Sequence, residues 1–513
     1  MTDQRRRRRP TALVLLSGLA VGAIFDAVNL LLRVPLGVPS LPEAMSDVLV
    51  PFIPASVFGR LLSSLGPYGK PIVFASSLVG IALAIGVAVT VYERLATRWG
   101  LIPATTALFG AGWVLLSLLF WTVLDANGYG GTSAMRRLQA LADLGISVAA
   151  AAGSALLLVG LTGAGAERES RPVDPGRRRV VGGVGAALAL LVVGGTGIVV
   201  CVRQLVKLSN LGYEGYGTPA SALGPITPTK DFYVVSKNLI DPTVDAARWT
   251  LVIEGQVNRP LTLTLADLQA LPQVESIATL ECISNGVGGS LMSTARWEGP
   301  RLMDVLAPAG VSGEPSHAEL SAIDGYYDSV QVEELATPGA ILALRMNGEP
   351  LPDRHGYPAR IVLPGRYGEK QMKWLTRILL TDNPRTGFYQ RQGWSEAGTV
   401  RTWSRFDNLR DGQRLVAGRD YLVSGHAFAG NRGVAAVQVS TDNGASWVDA
   451  RLQEVISQNA WRYFEWTWPV PSTGRYEAVV RARDGSGAWQ ETSYEDIVPK
   501  GSSGLHRVSV YVA

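Results

Sequence analysis

The sequence predicts a multi-domain protein: a transmembrane bundle of five helices, then an α+β domain, then an all-β sandwich of immunoglobulin type. Two observations carry this prediction. The chain has 513 residues, and its apolar residues are concentrated in the first 210 positions. After residue 210, Gly, Pro and Thr punctuate short alternating runs, which are strand signals. We therefore expect domain boundaries that give 1–210, 211–385 and 386–513.

Five apolar stretches in the first part are long enough to cross a bilayer, which takes about 20 residues. Each is nearly free of charge, which argues against the buried helices of a soluble bundle; the exceptions are Asp26 and Asp143. An acid in a membrane span is a functional candidate by default, and an interhelical hydrogen bond explains it equally well. The predicted spans lie near 12–32, 71–92, 101–124, 141–163 and 180–202.

The basic residues of this part predict its orientation. They cluster outside the spans at 5–9, 94–98 and 168–179, and loops rich in Lys and Arg face the cytoplasm. We expect a cytoplasmic N-terminus in a bacterial-type cell membrane, with the rest of the chain on the extracytoplasmic side. Arg177-Arg178-Arg179, before the last apolar run, resembles a twin-arginine export signal. A plain basic boundary of a membrane span explains the same residues equally well.

Composition excludes several classes of function. The net charge of +4 owes much to the arginines at 5–9, so we expect no nucleic-acid partner. Two cysteines cannot build a disulfide framework or an iron–sulfur cluster. The first histidine is His317, which excludes a haem held by two histidines within the five spans. A separate electron carrier is therefore expected for any redox function.

The polar half carries short strand and helix signals. The run Trp249–Gly255 alternates as a strand does. Leucines recur at three-residue spacing over 265–271, and a second short helical pattern lies near 302–306. From 386 onwards the pattern is nearly all strand, with a hairpin turn at Thr441-Asp442-Asn443-Gly444. The strands predicted for this sandwich are Tyr421–Phe428, Val434–Ser440, Trp461–Trp468 and Tyr476–Arg483.

Cys282 is the most informative residue of the polar half. A thiolate is a soft ligand that suits a polarizable transition metal, although a lone cysteine is more often a small buried hydrophobe. Here it stands in Thr279-Leu280-Glu281-Cys282-Ile283-Ser284-Asn285. This string resembles the Thr-Leu-x-Cys-x-x-Asn segment of the sulfite oxidase family. The resemblance implies that Cys282 binds the molybdenum of a molybdopterin cofactor.

A second block, 354–374, resembles the same family. It contains His355-Gly356-Tyr357-Pro358-Ala359-Arg360 and then Leu363-Pro364-Gly365, and it ends near Gln371-Met372-Lys373. The resemblance implies that His355, Arg360 and this tripeptide hold the pterin and its phosphate. Arg offers a planar fork for a phosphate and Lys a point charge. Taken singly, each has an ordinary alternative: a structural histidine, a surface ion pair or a solvated lysine.

Three more positions follow from the resemblance. Tyr233 matches an aromatic residue that contacts the pterin, and Asp324 falls where the family has another pterin contact. Tyr326 aligns with the tyrosine that lines the molybdenum pocket; Tyr327 is the competing choice, and a core tyrosine is the alternative for both. The segments 439–447 and 481–484 resemble the family's C-terminal dimerisation domain, which implies a homodimer. The resemblance covers 211–513 and leaves the five spans outside.

The chain departs from the family where sulfite oxidases use arginines to bind their anionic substrate. The Phe232-Tyr233-Val234 segment has no arginine after it, Gly286 follows Asn285, and only Lys500 precedes the last strand. A pocket without these cations would bind a dianion poorly.

We therefore expect a membrane-anchored molybdopterin-dependent oxidoreductase that transfers an oxygen atom on a small-molecule substrate of low charge, such as an S-oxide or N-oxide. An external electron carrier would exchange the electrons. The alternatives are a sulfite oxidase proper and a non-catalytic membrane-anchored binding protein on the same fold.

Overall fold

The computed structural model describes residues 11–36, 40–49, 69–126, 134–161, 185–200, 224–238 and 241–513, with the single positions 53, 57 and 65. The chain divides into two compact units, 1–50 with 70–211 and 51–69 with 212–513. The arginines at 5–9 and 168–179, including the twin-arginine segment, lie outside the described residues, as does Cys201.

The described part of the first unit is helical. Its helices are α1 Thr11–Leu36, α2 Leu41–Leu49, α3 Gly69–Trp99, α4 Leu101–Ala126, α5 Ala134–Leu161 and α6 Gly185–Val200. Among the described residues, three segments are long and apolar enough to cross a membrane: Ile72–Trp99, Leu101–Leu118 and Ala140–Leu158. Leu16–Leu32 and Gly185–Val200 are shorter apolar helices. Three of the five predicted spans are thus supported, and the five-helix bundle stays a prediction.

Small residues let α1 approach its neighbours closely. A Cβ placed on Gly18 would lie 2.5 Å from the Cα of Gly86, and one on Gly22 would lie 2.6 Å from the Cα of Ala82. The two pairs are one helical turn apart, so α1 and α3 meet through small residues at four-residue spacing, as many membrane helices do. Gly194 of α6 meets Ala23 of α1 in the same way.

A polar cluster joins α1 to α5. The side-chain amide of Asn29 donates to the carboxylate of Asp143 at 3.0 Å, and its oxygen accepts from the backbone of Leu41 at 2.8 Å. Ser147 donates to the carbonyl of Asp143 at 2.9 Å. Asp143 therefore makes the interhelical hydrogen bond that the sequence offered as one explanation for an acid in this region.

Substituting Gly22 with Leu is expected to destabilise the first unit by about 1–3 kcal/mol, because the new side chain meets the backbone of α3. The measurement is the thermal unfolding midpoint in detergent. Gly80→Leu is the matched control on α3, since no described residue has an atom within 4 Å of a Cβ at that position. Equal midpoints for the two variants would contradict the close helix crossing.

A mixed sheet forms the core of the α+β part. Its strand order is β2-β1-β11-β5-β6, in which β1 and β11 are parallel and the other pairs antiparallel. The members are β1 Thr250–Gly255, β2 Leu261–Thr264, β5 His317–Ala322, β6 Tyr327–Gln331 and β11 Leu375–Thr381. Helices α7 Leu265–Ala270 and α8 Leu302–Leu306 form where the leucine spacing predicts them.

Two smaller sheets position Cys282 and Arg360. One has the order β3-β4-β8-β9 and the other pairs β10 with β7. Their strands are β3 Val274–Glu281, β4 Met292–Gly299, β7 Ile341–Ala343, β8 Arg345–Met346, β9 Glu349–Pro350 and β10 Arg360–Val362. Cys282 follows the last residue of β3, and Arg360 is the first residue of β10, so regular strands fix the backbone at both positions.

The C-terminal part is a sandwich of two sheets, as predicted. One sheet has the order β12-β14-β18-β17 and the other β13-β20-β19-β15-β16. The predicted turn connects β15 to β16, and Asn443 and Gly444 take the positive φ angles of 61° and 91° that hairpin turns require. The strands are β12 Trp403–Phe406, β13 Gln413–Leu415, β14 Asp420–Phe428, β15 Val434–Ser440, β16 Val448–Asp449, β17 Arg451–Leu452, β18 Arg462–Pro469, β19 Gly474–Asp484 and β20 His506–Val512.

Candidate active site

Cys282 is buried at the end of β3, with 8% of its surface exposed. Its backbone N–H donates to the carbonyl of Leu291 at 3.0 Å, which continues the β3–β4 pairing for one residue. Burial is the main cause that raises the pKa of the Cys282 thiol to about 11. The thiol is therefore protonated in these surroundings, and a bound metal cation would supply the positive charge that a thiolate needs.

One tyrosine, Tyr233, and one glycine, Gly368, lie close to Cys282. A Cβ placed on Gly368 would lie 3.1 Å from the Tyr233 hydroxyl and 3.9 Å from the Cα of Cys282. The pKa of Tyr233 is raised by burial and by Cys282, and the charge of Arg360 partly opposes this rise. Tyr233 therefore lies near both the cysteine and the arginine, although the two are 78 positions apart in the sequence.

Arg360 is buried, with 4% of its surface exposed. Its two terminal nitrogens donate to the carbonyls of His355 and Gln371, each at 3.1 Å, and its guanidinium lies 4.9 Å from the ring of Trp297. Its Nε has no hydrogen-bond partner within the described residues. A buried cation with an unused donor is costly unless an anion completes its surroundings, so the arrangement fits a phosphate-bearing ligand.

His355 and Lys373 lie beside Arg360. Burial, together with the charges of Arg360 and Lys373, lowers the pKa of His355 to about 3, so the imidazole is neutral at physiological pH. Lys373 donates to the carbonyl of Arg354 at 3.0 Å, and burial of its amine lowers its pKa to about 8. Gly356 makes this approach possible: at φ 110°, its Cβ would lie 3.0 Å from that of Lys373.

The side chains of Gln371 and Met372 contact other parts of the protein and stabilise its fold. Gln371 accepts from the backbone of Leu363 at 2.6 Å and donates to the carbonyls of Leu363 and Arg366 at 2.6 and 2.9 Å. Met372 is buried in the main hydrophobic core of the α+β part. Of the predicted tripeptide, only Lys373 brings a side-chain charge to the Arg360 region. Contacts of Gln371 and Met372 with a pterin stay a prediction, and they would involve backbone atoms.

Tyr326 and Asp324 lie beside the 367–373 segment. The hydroxyl of Tyr326 donates to the carbonyl of Glu369 at 2.9 Å. One carboxylate oxygen of Asp324 accepts from the backbone of Tyr326 at 3.0 Å and the other from Asn238 at 2.7 Å.

Tyr327 is held elsewhere. Its ring is buried, its hydroxyl accepts from Arg391 at 2.8 Å, and the guanidinium of Arg385 lies 3.5 Å from its ring centroid. Tyr326 is therefore the tyrosine that borders the segment next to Cys282, and its role in lining a pocket stays a prediction.

Sequence reasoning missed a group of buried acids around Cys282. Glu281 accepts from Asn285 at 2.9 Å through one oxygen, and its other oxygen has no partner in the described chain. Glu369 is also buried, and burial raises the pKa of each carboxyl to about 8. Asp328 and Lys370 form a fully buried ion pair at 2.7 Å. Strand and turn patterns gave no signal for these acids, because charged residues at such positions are ordinarily exposed.

The sandwich holds the loop that follows Cys282. Ser502 donates to the carbonyl of Asn285 at 2.7 Å, and Arg405 donates to the carbonyl of Gly289. The ring of His506 packs against Gly288, where an added Cβ would lie 2.6 Å from it. These contacts join residues more than 110 positions apart, which is why no local pattern in the sequence could reveal them.

Two family models match the second unit. The oxidoreductase molybdopterin binding domain matches residues 238–389, which include Cys282 and the Arg360 region. The Mo-co oxidoreductase dimerisation domain matches residues 408–512. The chain belongs to the sulfite oxidase-like family of molybdopterin oxidoreductases. This confirms the family that the Cys282 segment and the 354–374 block indicated.

Relatives and a solved structure agree with this family. The mitochondrial sulfite oxidase of Macaca fascicularis is 31% identical over 340 residues, which cover 56% of this chain and 62% of that protein. The NADPH nitrate reductase of Aspergillus niger is 30% identical over 317 residues, covering 51% of this chain and 36% of the other. The chain therefore spans about three fifths of the length of the sulfite oxidase and about a third of the length of the nitrate reductase.

The sulfane dehydrogenase SoxCD from Paracoccus pantotrophus has a similar fold, with a TM-score of 0.50 and 24% identity over 58% of this chain and 86% of that chain. At this identity the likeness concerns the fold alone.

Breaking the buried Asp328–Lys370 pair is expected to be strongly destabilising. Lys370→Met would leave a buried carboxylate without its cation and cost about 3–5 kcal/mol, and the double variant Asp328→Asn/Lys370→Met should recover most of the loss. Urea unfolding of the full chain in detergent measures both.

The control is Arg296→Met, which breaks a half-exposed pair with Glu275 at 3.1 Å and should cost about 1 kcal/mol or less. Similar losses for Lys370→Met and Arg296→Met would show that the buried pair contributes no more than a surface one.

Proposed function

We propose that this protein is a membrane-anchored molybdopterin-dependent oxidoreductase that transfers an oxygen atom to or from a small substrate of low charge, such as an S-oxide or N-oxide. The observation that carries the proposal is the convergence of Cys282, Tyr233 and Gly368 beside a buried arginine with an unused donor. One end of this arrangement offers a soft metal ligand and the other a cationic cradle, as a metal bound to a phosphate-bearing pterin requires.

Different residues of the site would bind different parts of such a cofactor. Cys282 would ligate the metal, and Arg360 and Lys373 would bind the phosphate through charge-assisted hydrogen bonds. His355, neutral in this site, would bind a polar edge of the pterin, and Tyr233 and Asp324 would border it. When bound, the cofactor supplies the two-electron oxygen-atom chemistry, while the protein supplies orientation and electrostatics.

Three arginines of the second unit are committed to other groups, which supports a substrate of low charge. Arg366 makes a bidentate pair with Glu334 at 2.8 and 3.0 Å, and Arg391 donates to Tyr327. Arg401 bridges Glu491 and Glu495 at 3.0 and 2.6 Å. Each is committed to another group, so binding a dianion would cost an existing pair. The similarity to sulfite oxidases favours sulfite as the second candidate substrate.

Location and partners form part of the same proposal. The three apolar helices support anchoring in a membrane. The basic clusters of the sequence favour a cytoplasmic N-terminus with the catalytic part outside. The match to a dimerisation domain supports a homodimer. Electrons would pass through an external carrier, because the residues around Cys282 and Arg360 provide a site for one redox cofactor.

Metal analysis of the purified full chain tests the proposal first. We expect near-stoichiometric molybdenum with pterin in the wild type, and a Cys282→Ser variant with lowered or spectroscopically altered molybdenum because the thiolate ligand is gone. Cys201→Ser, which replaces the chain's other cysteine, is the matched control and should match the wild type. Folded protein without molybdenum, from a host that makes the cofactor, would favour the non-catalytic binding protein.

Lys373→Met is expected to weaken pterin retention about tenfold or more, since a charge-assisted hydrogen bond contributes roughly 1.5–3 kcal/mol. The measurement is pterin released from purified protein after dialysis. Lys230→Met removes an exposed lysine and serves as the control. Equal retention in the two variants would remove Lys373 from the proposed phosphate site.

Reduction of dimethyl sulfoxide and trimethylamine N-oxide by dye-reduced protein, set against sulfite oxidation, separates the two substrate candidates. We expect turnover of an uncharged oxide. Turnover of sulfite alone would favour a sulfite oxidase proper.

A further inference from the structure

A cluster of four aromatic rings underlies one surface of the second unit. Tyr326, Tyr327, Phe388 and Tyr389 form it, and their neighbouring ring centroids lie 5.1–6.2 Å apart. The backbone of Phe388 also donates to the carbonyl of Tyr327 at 3.0 Å. Ring pairs at these distances attract each other beyond their burial, so the cluster is a fixed platform for the side chains that stand on it.

Three cationic side chains stand on this platform. The guanidinium of Arg385 lies 3.5 Å from the ring centroid of Tyr327, and Arg391 donates to the hydroxyl of Tyr327 at 2.8 Å. The ammonium of Lys237 lies 5.5 Å from the ring centroid of Phe388. Cations at such distances are attracted to the face of an aromatic ring. We call Lys237, Arg385 and Arg391 the Arg385 surface.

The outer side of this surface is positively charged. Glu319 pairs with Arg385 at 3.4 Å and with Arg377 at 3.6 Å, and Glu254 is the second partner of Arg377. In the described part of the chain, Arg391 has the neutral hydroxyl of a tyrosine as its partner. Three arginines therefore face two carboxylates. The side chain of Arg385 is 40% exposed and that of Glu319 only 9%, so the cation covers the acid.

The aromatic cluster connects the Arg385 surface to the segment beside Cys282. The hydroxyl of Tyr326, a member of the cluster, donates to the carbonyl of Glu369 at 2.9 Å. A Cβ on the neighbouring Gly368 would lie 3.9 Å from the Cα of Cys282. One tyrosine side chain thus spans from the cationic surface to the segment that packs on the predicted metal ligand.

We propose that the Arg385 surface is the docking site of the external electron carrier, and that this carrier is a small soluble protein with an acidic face. The inference rests on the proposed function, which requires a carrier, and it names the carrier's chemical class and place of contact. Opposite charges speed the encounter of two proteins and orient them. Reduction of one S-oxide consumes two electrons and two protons and releases one water, so a one-electron carrier docks twice in each turnover.

A pair of double variants tests the surface. Arg385→Glu/Arg391→Glu reverses two of its charges. Arg248→Glu/Arg410→Glu reverses two exposed arginines elsewhere in the same unit and gives the same net charge. The thermal unfolding midpoint and the molybdenum content of each full-length variant in detergent show whether the fold and the cofactor are retained.

The decisive measurement is the binding of oxidised flavodoxin, a small acidic one-electron carrier, by calorimetry. We expect Arg385→Glu/Arg391→Glu to weaken binding about tenfold at roughly 10 mM ionic strength. The loss should shrink at about 150 mM, because the Debye length falls from about 30 Å to about 8 Å. The control should bind as the wild type does. Mitochondrial cytochrome c, a basic protein, should bind the wild type more weakly than flavodoxin.

Turnover provides a second readout. With reduced flavodoxin as the limiting donor, the rate of dimethyl sulfoxide reduction should fall by the same factor in Arg385→Glu/Arg391→Glu. With a reduced phenazine dye, which is small and uncharged, the rate should equal that of the wild type, because such a donor needs no docking surface.

Three results would overturn the inference. The first is equal flavodoxin binding in the two double variants. The second is binding of sulfate through these arginines without binding of flavodoxin, which would assign them to a small anion. The third is loss of molybdenum and of the dye-driven rate in Arg385→Glu/Arg391→Glu alone, which would assign the arginines to the cofactor site or the fold. Charge-dependent flavodoxin binding by a wild type without molybdenum would support the docking surface and defeat the proposed function.

Discussion

The guanidinium of Arg360 connects the parts of the oxidoreductase site. Its two terminal nitrogens hold the carbonyls of His355 and Gln371, so one cation fixes both the 353–357 turn and the 367–373 segment. Burial lowers the pKa of Arg360 to about 10, yet the group stays charged at physiological pH. Its Nε–H has no partner among the described residues, and an anion would complete the surroundings of this buried cation. The position of Lys373, the neutral imidazole of His355 and the approach of Gly368 to Cys282 are all consistent with a phosphate-bearing ligand.

The sandwich contributes to the site as well as to the predicted dimer. Arg405, Ser502 and His506 together hold the loop from Asn285 to Gly289. Arg405 is itself fixed by Asp407 at 2.9 Å, and Asp407 also contacts His426 at 2.6 Å. Because this loop follows the predicted metal ligand directly, the stability of the sandwich is coupled to the placement of Cys282.

The buried acids around Cys282 distinguish this site from a pocket that binds an oxyanion. Such a pocket would need uncommitted arginines, whereas Arg366, Arg391 and Arg401 each serve another group. Buried carboxyls occupy the neighbouring space, and burial favours their protonated forms. This balance is consistent with the low substrate charge that we propose.

The sequence by itself determined the family, the sandwich and the position of the predicted metal ligand. Cys282 and the 354–374 block carry these in contiguous residues, and strand alternation with an Asn-Gly turn is a local signal. Three of the five predicted spans are supported; the others are described only over shorter lengths. Tertiary structure alone decided that Gln371 and Met372 are buried and that Tyr327 is held by arginines. It also decided that the carboxyl oxygens of Glu369 have no hydrogen-bond partner among the residues that the structure describes. The physical reason is that burial and charge pairing depend on residues far apart in the chain, which no local pattern records.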